Sequence, residues 1–517
     1  MYIEDEYQDG LVHAVSVTKD RFNEPEIVKA MEAEMDVWKK YGVYKEVKDT
    51  GQKTVSTRWV VTQKGKGLYK ARLVVRGFEE ELDMKVDSPT GDKCSSRIMM
   101  ILSIAMNWKL ESIDIKAAFL QSQSLDRVVF VRPPRNLKKV GVIWQLEKPA
   151  YGLDDSPRNW YNSLRQFMLS TGCSVCKYDP ALFYYQVNSK LIGILSLHVD
   201  DFLFSGTEKF KSEVVKKIMK YYDISSHVSS ASFKYIGMNI CQLKDCITLD
   251  QFDYAETVKI VDIPSKLRMK KQAVLSEEEK PHYLSLLGKL AWLSYISRPD
   301  LKWDVYNSSR HNKNPTIGDL QELNKVVSKL NVRKRIRLTK LDLKKALKIV
   351  VYSDASFGNL DNKVNSSRGY IIFLCCEEQA CCLTWAANKV SRVVSSTLES
   401  ETLACVDGLN HAEWLRGIIS ELLYGVEGRE TLIRIVGFTD SNQLYQSLHS
   451  THLVSNHKLR RDVEIIKEKL ATGVVSQVKW VPTGEMLADP LTKKGVNCTK
   501  LDHVLETGLI PGLSGKL

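Results

Sequence analysis

The 517-residue sequence contains no apolar run long enough to span a bilayer. Its richest stretches, RIMMILSIAMNW at 97–108 and the segment 191–206, are too short or are broken by charge, so no membrane partner is expected. The opening MYIEDEYQDG is acidic and polar and lacks the apolar core of a secretory signal. No period repeats and no low-complexity segment stands out, which excludes solenoid and collagen-like architectures. Cysteine offers no disulfide framework: the eleven residues are odd in number, and Cys375-Cys376 and Cys381-Cys382 would project to opposite faces of a strand. A reducing intracellular compartment is expected instead. The CSVC at 173–176 has zinc-like spacing but no second Cys or His pair at finger distance, and His449, His452 and His457 read as surface or capping residues.

What is present is an ordinary globular composition, 44% hydrophobic and 26% charged, in a chain too long for one core and therefore folded as two or more units. Lysine and arginine exceed aspartate and glutamate by 74 to 62, a surplus that mildly favours a polyanionic partner. Much of it sits in residues 329–348, KLNVRKRIRLTKLDLKKALK, either a phosphate-tracking strip or a solvated helix face.

In EPEIVKAMEAEMDVWKKYG, residues Ile27, Met31, Met35 and Trp38 recur at helical spacing behind Pro25 and predict an amphipathic helix. STRWVVTQKGKGLYKARLVVRGF predicts two strands around KGKG, with Lys70, Arg72 and Arg76 on one face of the second. That basic row suits a triphosphate, or protects an edge strand by charge.

Acids then gather at strand ends. Asp114 closes the strand ESIDI ahead of an expected helix at KAAFL, and Asp200 and Asp201 lie at the tip of an expected hairpin, LSLHVDDFLFSG. Adjacent carboxylates between apolar strands repel each other and are costly to desolvate. Together with Asp114 they suit Mg²⁺, which takes hard oxygen ligands, and two such ions serve the attacking and leaving oxygens of a phosphoryl transfer.

TRWVV, YKARLVVRGF, IDIKAAFLQS, KPAYGLDDSPRNWY, LHVDDFLFSG, YIGM and SRPDL follow one another in an order that resembles the reverse transcriptases of copia-type LTR retrotransposons, from about residue 25 to the end of the chain. The resemblance implies that Asp114 and Asp200 bind two metal ions with Asp201 supporting the second. It implies that Phe119 lies under the incoming sugar and excludes a 2′-hydroxyl, that Lys70 and Arg72 lie near the triphosphate, and that Tyr151 and Gly152 line the pocket. FKYIGMNI is similar to the primer-grip hairpin. Two departures are visible: His198 stands where the family has tyrosine, and Asp154 and Asp155 stand where it commonly has lysine and glutamine.

A second set of acids follows at the ends of apolar runs: Asp354 in IVVYSDASFGN, Glu401 in STLESETLACVDG, Asp440 in IVGFTDSNQ and Asp489 in GEMLADPLTKKG. Each alone reads as a cap; together they form a second two-metal constellation. This segment resembles the RNase H domain that follows reverse transcriptase in the same elements, a mixed sheet flanked by helices. Glu399 rivals Glu401, and the following TLA favours Glu401.

The expected architecture is therefore a multidomain α+β and α/β chain, a right-hand polymerase followed by an RNase H-like domain. A tail at 1–22, fingers and palm at 23–265, thumb and connection at 266–345, RNase H at 346–495 and a tail at 496–517 are expected. The resemblance implies an RNA-directed DNA polymerase with RNase H activity, Mg²⁺ at two ions per site with Mn²⁺ as an alternative, and RNA template, DNA primer, RNA–DNA hybrid and dNTPs as partners. It leaves a homo-oligomer open, and implies an intracellular location, cytoplasmic in virus-like particles or nuclear. The strip 329–348 would track the hybrid through Arg333, Lys334, Arg335 and Arg337. Zinc-knuckle, protease and integrase signatures are missing, so a C-terminal portion of a Pol polyprotein is expected. The alternative reading is a decayed or domesticated nucleic-acid-binding relic of the same element.

Overall fold

The computed structural model describes residues 15–65, 67–81, 86–360, 364–425, 432–452 and 454–516, with the backbone alone at Lys64 and Lys516. Most of the expected N-terminal tail, and Lys66 of the KGKG turn, lie outside the described residues. The chain divides into two compact units, one of residues 1–91, 111–187 and 191–229, the other of 92–110, 188–190 and 230–517.

The first unit begins with the helix Pro25–Tyr41, whose buried face is Ile27, Met31, Met35 and Trp38. Proline at its first turn costs no hydrogen bond, and Gly42 ends it at φ 62°, a left-handed conformation that glycine adopts without strain. The basic hairpin is present as Val55–Gly65 and Leu68–Val75, antiparallel with Thr62 opposite Lys70 and Val60 opposite Arg72. Ala71, Leu73 and Val75 alternate inward, which turns Lys70 and Arg72 to the other face.

A second sheet carries the first acids. Its strand order is Ile224–Val228, Leu110–Ile115, Asp201–Gly206, Lys190–His198, Leu182–Val187, Ser174–Val175. Ile113, Ile115, Leu195, Leu197, Phe202 and Phe204 form a core with Trp160 and Leu164 of the helix Ser156–Ser170. Gly193 and Gly206 face each other across the hairpin because Phe210 lies over both; a Cβ at Gly193 would come within 2.0 Å of the Phe210 ring. KAAFL forms a single 3-10 turn at Ala118–Gln121 and not the expected helix, since Ala117 enters the left-handed region at φ 49° and breaks the helical path.

The second unit contains an antiparallel sheet of Ser232–Tyr235, Met238–Gln242, Cys246–Asp250 and Ile336–Thr339. The expected boundary at 265 therefore divides residues that pair, because Ile336–Thr339 completes the sheet begun at 232. Helices Lys280–Ile296, Lys302–Ser309 and Ile317–Ser328 enclose Leu286, Leu290, Leu301 and Leu323. A mixed five-stranded sheet follows, ordered Gln379–Lys389, Ser367–Cys376, Lys348–Ser356, Arg434–Thr439, Gln477–Trp480, with parallel pairing at the last two steps. The buried helix Thr397–Tyr424 packs on it. The expected tail at 496–517 is built into this unit: Thr499–Thr507 is a helix burying Leu501, Val504 and Leu505, and the Ala380 amide donates to the Gly508 carbonyl at 2.8 Å.

None of the eleven cysteines forms a disulfide, and nine are buried. No described helix is long and apolar enough to cross a membrane.

Candidate functional site

Asp114 and Asp200 are brought side by side by the backbone. The Ile115 amide donates to the Asp200 carbonyl at 3.0 Å, and His198 pairs with Asp201, leaving Val199 and Asp200 as the hairpin tip. Val199 sits at φ 55°, a strained conformation for a β-branched residue, and Trp160 Nε1 holds its carbonyl at 2.7 Å. On the far side of Asp114, a register shift between Ile224 and Ser226 leaves Ser225 as the extra residue. Its hydroxyl donates to the Asp114 carboxylate and, at 3.1 Å, to the Asp114 carbonyl. Ser225 carried no signal in the sequence, because a bulge is a property of two strands. His198 is half-buried, with Nδ1 enclosed and without a hydrogen-bond partner. Burial lowers its pKa and favours the neutral ring.

The expected pocket residues also converge. The Arg72 guanidinium lies 5.3 Å from the centroid of the Tyr151 ring, which is 5.6 Å from that of Phe119. The loop bearing Tyr151 is fastened to the basic strand by Val75 N–H to Tyr151 carbonyl at 2.7 Å and Gly77 N–H to Gly152 carbonyl at 2.9 Å. Gly152 has φ 89°, and a Cβ there would lie 2.1 Å from the Val75 carbonyl oxygen, so its part is the close approach of two backbones. Lys70 is exposed one strand repeat from Arg72.

The departure at Asp155 has a physical cause. Arg127 pairs with Asp155 through Nε at 2.8 Å and Nη2 at 3.0 Å, and with Glu80 through Nη1 at 2.7 Å. Asp155 is buried in that knot, whereas Asp154 is exposed.

The second acid set forms a tighter cluster. Tyr352 pairs with Phe438 across parallel strands, and two residues further along each chain are Asp354 and Asp440. Ligand oxygens of Asp354, Asp440 and Asp489 all lie within 4.8 Å of one another, the one such group among the described residues. Glu401, 5% exposed on the adjoining helix, accepts from the Ala355 amide, while its Oε2 is buried without a hydrogen-bond partner. Burial and the neighbouring Asp354 and Asp440 raise the Glu401 pKa well above the carboxylate range, and burial raises that of Asp354 to about 7 against the pull of Lys493. An unpartnered buried oxygen beside three converging carboxylates is the donor set a hard divalent cation takes. Glu399 is used differently: it accepts from the Ser395 amide at 2.9 Å and from Arg392 Nη2 at 2.9 Å.

Two members of this site were missed in the sequence. The Thr492 hydroxyl donates to the Asp354 carboxylate, and its carbonyl accepts from Ser367 Oγ at 2.9 Å and Asn359 Nδ2 at 3.0 Å. Lys493 Nζ lies 2.5 Å from Asp489 Oδ1 and 3.4 Å from Asp354 Oδ1. The only available signal was LTKKG following ADP; a solvated lysine gives the same pattern. Gly369, opposite Asp354, admits this turn, for a Cβ there would sit 2.8 Å from Leu491 Cβ.

The basic segment does not form one face. It runs as a 3-10 turn, a loop and the strand Ile336–Thr339, not a helix. Arg333 and Arg335 are exposed, both guanidinium groups near the Phe252 ring at 5.2 and 5.4 Å, and Arg333 also pairs with Glu256. Lys334 is turned inward, 3.1 Å from Asp300 and 2.7 Å from Asp502, and Arg337 is half-buried in the strand. Cys173 and Cys176 are buried, and no metal-ligating group gathers at them among the described residues.

Residues 39–265, which contain Asp114, Asp200 and Asp201, match the family described as "Reverse transcriptase (RNA-dependent DNA polymerase)". A reverse transcriptase domain is thus the class defined by this stretch. The chain is 26% identical over 463 residues to "Retrovirus-related Pol polyprotein from transposon RE1" of Arabidopsis thaliana, covering 85% of this chain and 30% of that protein. It is 28% identical over 519 residues to the corresponding polyprotein "from transposon TNT 1-94" of Nicotiana tabacum, covering 92% and 37%. A solved foamy viral protease-reverse transcriptase in complex with double-stranded DNA aligns at TM-score 0.48 and 14% identity, over 92% of this chain and 73% of that one. The chain is similar to a stretch of these retrotransposon Pol polyproteins, and spans about a third of the length of these curated relatives.

Proposed function

We propose that the chain is an RNA-directed DNA polymerase coupled to an RNase H, using divalent metal, with Mg²⁺ the expected ion, at both acid clusters. Fingers and palm fall before residue 230, thumb and connection between 230 and 345, so that the sheet closed by Ile336–Thr339 stays whole, and the nuclease from 346 onward with the helix Thr499–Thr507 as part of it. The observation that carries the polymerase reading is the hydrogen bond from Ile115 to Asp200, which ties the strand end bearing Asp114 to the hairpin tip bearing Asp200. The nuclease reading rests on the converging oxygens of Asp354, Asp440 and Asp489 with the unpartnered Oε2 of Glu401.

Bound cations would supply charge stabilisation at the attacking and leaving oxygens in each site. Asp114 and Asp200, with Asp201 in support, would hold them in the first, and Asp354, Glu401, Asp440 and Asp489 in the second. Lys70 and Arg72 orient the triphosphate of a dNTP, and Arg72 is braced by Tyr151. Phe119 packs against Tyr151 and closes the sugar subsite to a 2′-hydroxyl, which selects deoxynucleotides. Trp160 holds the tip bearing Asp200, so the acid is preorganised before nucleotide arrives. In the second site Thr492 fixes the Asp354 carboxylate and the Ala355 amide fixes Glu401. RNA template, DNA primer and the hybrid are the macromolecular partners, and an intracellular setting goes with them.

Primer extension on an RNA template with dNTPs and Mg²⁺ tests the polymerase, with D200N/D201N as the control. A hybrid with labelled RNA tests the nuclease, with D354N as the control. Extension and cleavage abolished in the respective controls are expected. Hybrid binding without extension or cleavage by the wild-type chain overturns the proposal and leaves a binding relic.

A further inference from the structure

Three acids whose ligand oxygens lie within 4.8 Å of one another repel strongly when no cation is bound. The described residues around them supply one positive group inside the cluster, the Lys493 ammonium, 2.5 Å from Asp489 Oδ1 and 3.4 Å from Asp354 Oδ1. It follows directly on the short turn Asp489–Leu491, four positions after Asp489, so it stays with the ligand-bearing segment whichever way it points. Its side chain is 35% exposed, which gives the four-carbon stem a route to solvent. Its neighbour Lys494 faces elsewhere and pairs with Glu322 at 2.7 Å.

We propose that Lys493 is the resident cation of the second acid cluster: it holds Asp354 and Asp489 together before metal arrives, and it is displaced by the divalent ion that these two carboxylates share. An ammonium in contact with both acids and a divalent cation between them cannot coexist, because the like charges would lie within a few ångströms in a buried setting. The lysine therefore leaves toward solvent as the ion enters. It is a positioning residue in the metal-free state and a competitor for one metal position, which lowers the apparent affinity there in proportion to its occupancy. Oε2 of Glu401 is not reached by any donor in this arrangement, so Lys493 substitutes for one cation and leaves the side of the cluster facing Glu401 open to another. This inference rests on the nuclease reading of the cluster.

The experiment uses the full chain carrying D114N/D200N/D201N, so that Mn²⁺ binding followed by electron paramagnetic resonance reports the second cluster. In that background Lys493→Met, which keeps the stem and removes the charge, is expected to tighten the weaker Mn²⁺ site by about tenfold or more. It is also expected to lower Tm in EDTA and regain it with Mn²⁺. Lys494→Met should change neither reading. Mn²⁺ binding that Lys493→Met leaves unchanged or weakens overturns the displacement alone. An absence of Mn²⁺ binding both with and without Lys493→Met overturns the nuclease reading and the displacement with it.

Discussion

Glu401→Gln should make the metal-free protein more stable while abolishing hybrid cleavage. Glu401 is 5% exposed, its Oε2 has no hydrogen-bond partner, and Asp354 and Asp440 add like charge. Glutamine keeps the length and the acceptor for the Ala355 amide, and turns an amide donor toward the acids. Relief of one buried, unsatisfied charged oxygen is of order 1–3 kcal/mol. For a unit of this size each kcal/mol moves Tm by roughly 2–4 °C, so a rise of about 2–12 °C is expected in EDTA at pH 8. With Mg²⁺ the gap should close, because the ion neutralises the wild-type charge. Loss of a metal ligand should lower cleavage of a labelled hybrid by roughly 100-fold or more. Glu399→Gln is the counterpart: Glu399 accepts from Ser395 and Arg392, so its loss should cost about 1–3 kcal/mol of stability and leave cleavage per folded molecule intact. Differential scanning fluorimetry with and without metal, beside single-turnover cleavage, reads both. An E401Q chain less stable than wild type in EDTA, with E399Q neutral in stability and inactive, would refute the assignment.

Arg127→Met leaves Asp155 buried and Glu80 half-buried without their guanidinium partner, and urea unfolding should show a loss of about 3–5 kcal/mol that E80Q/D155N largely restores; a loss under about 1 kcal/mol would make the knot a surface pair. Ser225→Ala removes the hydroxyl that steadies Asp114, and Mg²⁺ titration of primer extension should shift by roughly tenfold, with an unchanged midpoint counting against it. Arg333→Ala with Arg335→Ala should flatten the salt dependence of hybrid binding by up to about two in log–log slope. Lys334→Ala should instead lower stability, since its ammonium pairs with Asp300 and Asp502; a flattened slope with stability unchanged would reverse that reading. Burial opposes ionisation of Asp300, but Arg298 and Lys334 outweigh it and hold its carboxyl below the ordinary 3.8. A lowered pKa contributes stability above that value and loses it as pH falls, so Asp300→Asn should weaken the protein at pH 7 and flatten its acid limb; an unaltered acid limb would argue against the ion pair.

Much of the molecule was legible from local pattern. The helix Pro25–Tyr41, the hairpin around KGKG, the hairpin tip at Asp200 and the placement of Asp354, Glu401 and Asp440 follow from periodicities of 3.6 and 2 and from acids at the ends of apolar runs. KAAFL was misread because alanine and leucine favour helix while the backbone at Ala117 turns left-handed and interrupts it. The C-terminal residues read as a tail because the strands their helix packs against, Ile336–Thr339 and Gln379–Lys389, lie more than 100 positions away.

The sequence by itself determined which elements form, which acids they carry and which family the chain resembles, because those depend on neighbours within a turn or a strand repeat. Only the tertiary structure decided which charges meet. Arg127 reaches Asp155 across 28 positions, Lys334 reaches Asp502 across 168, and Lys493 reaches Asp354 across 139. Each of these lysines and arginines is indistinguishable in sequence from a solvated one, since a flexible basic side chain takes its role from the carboxylate that folding places beside it.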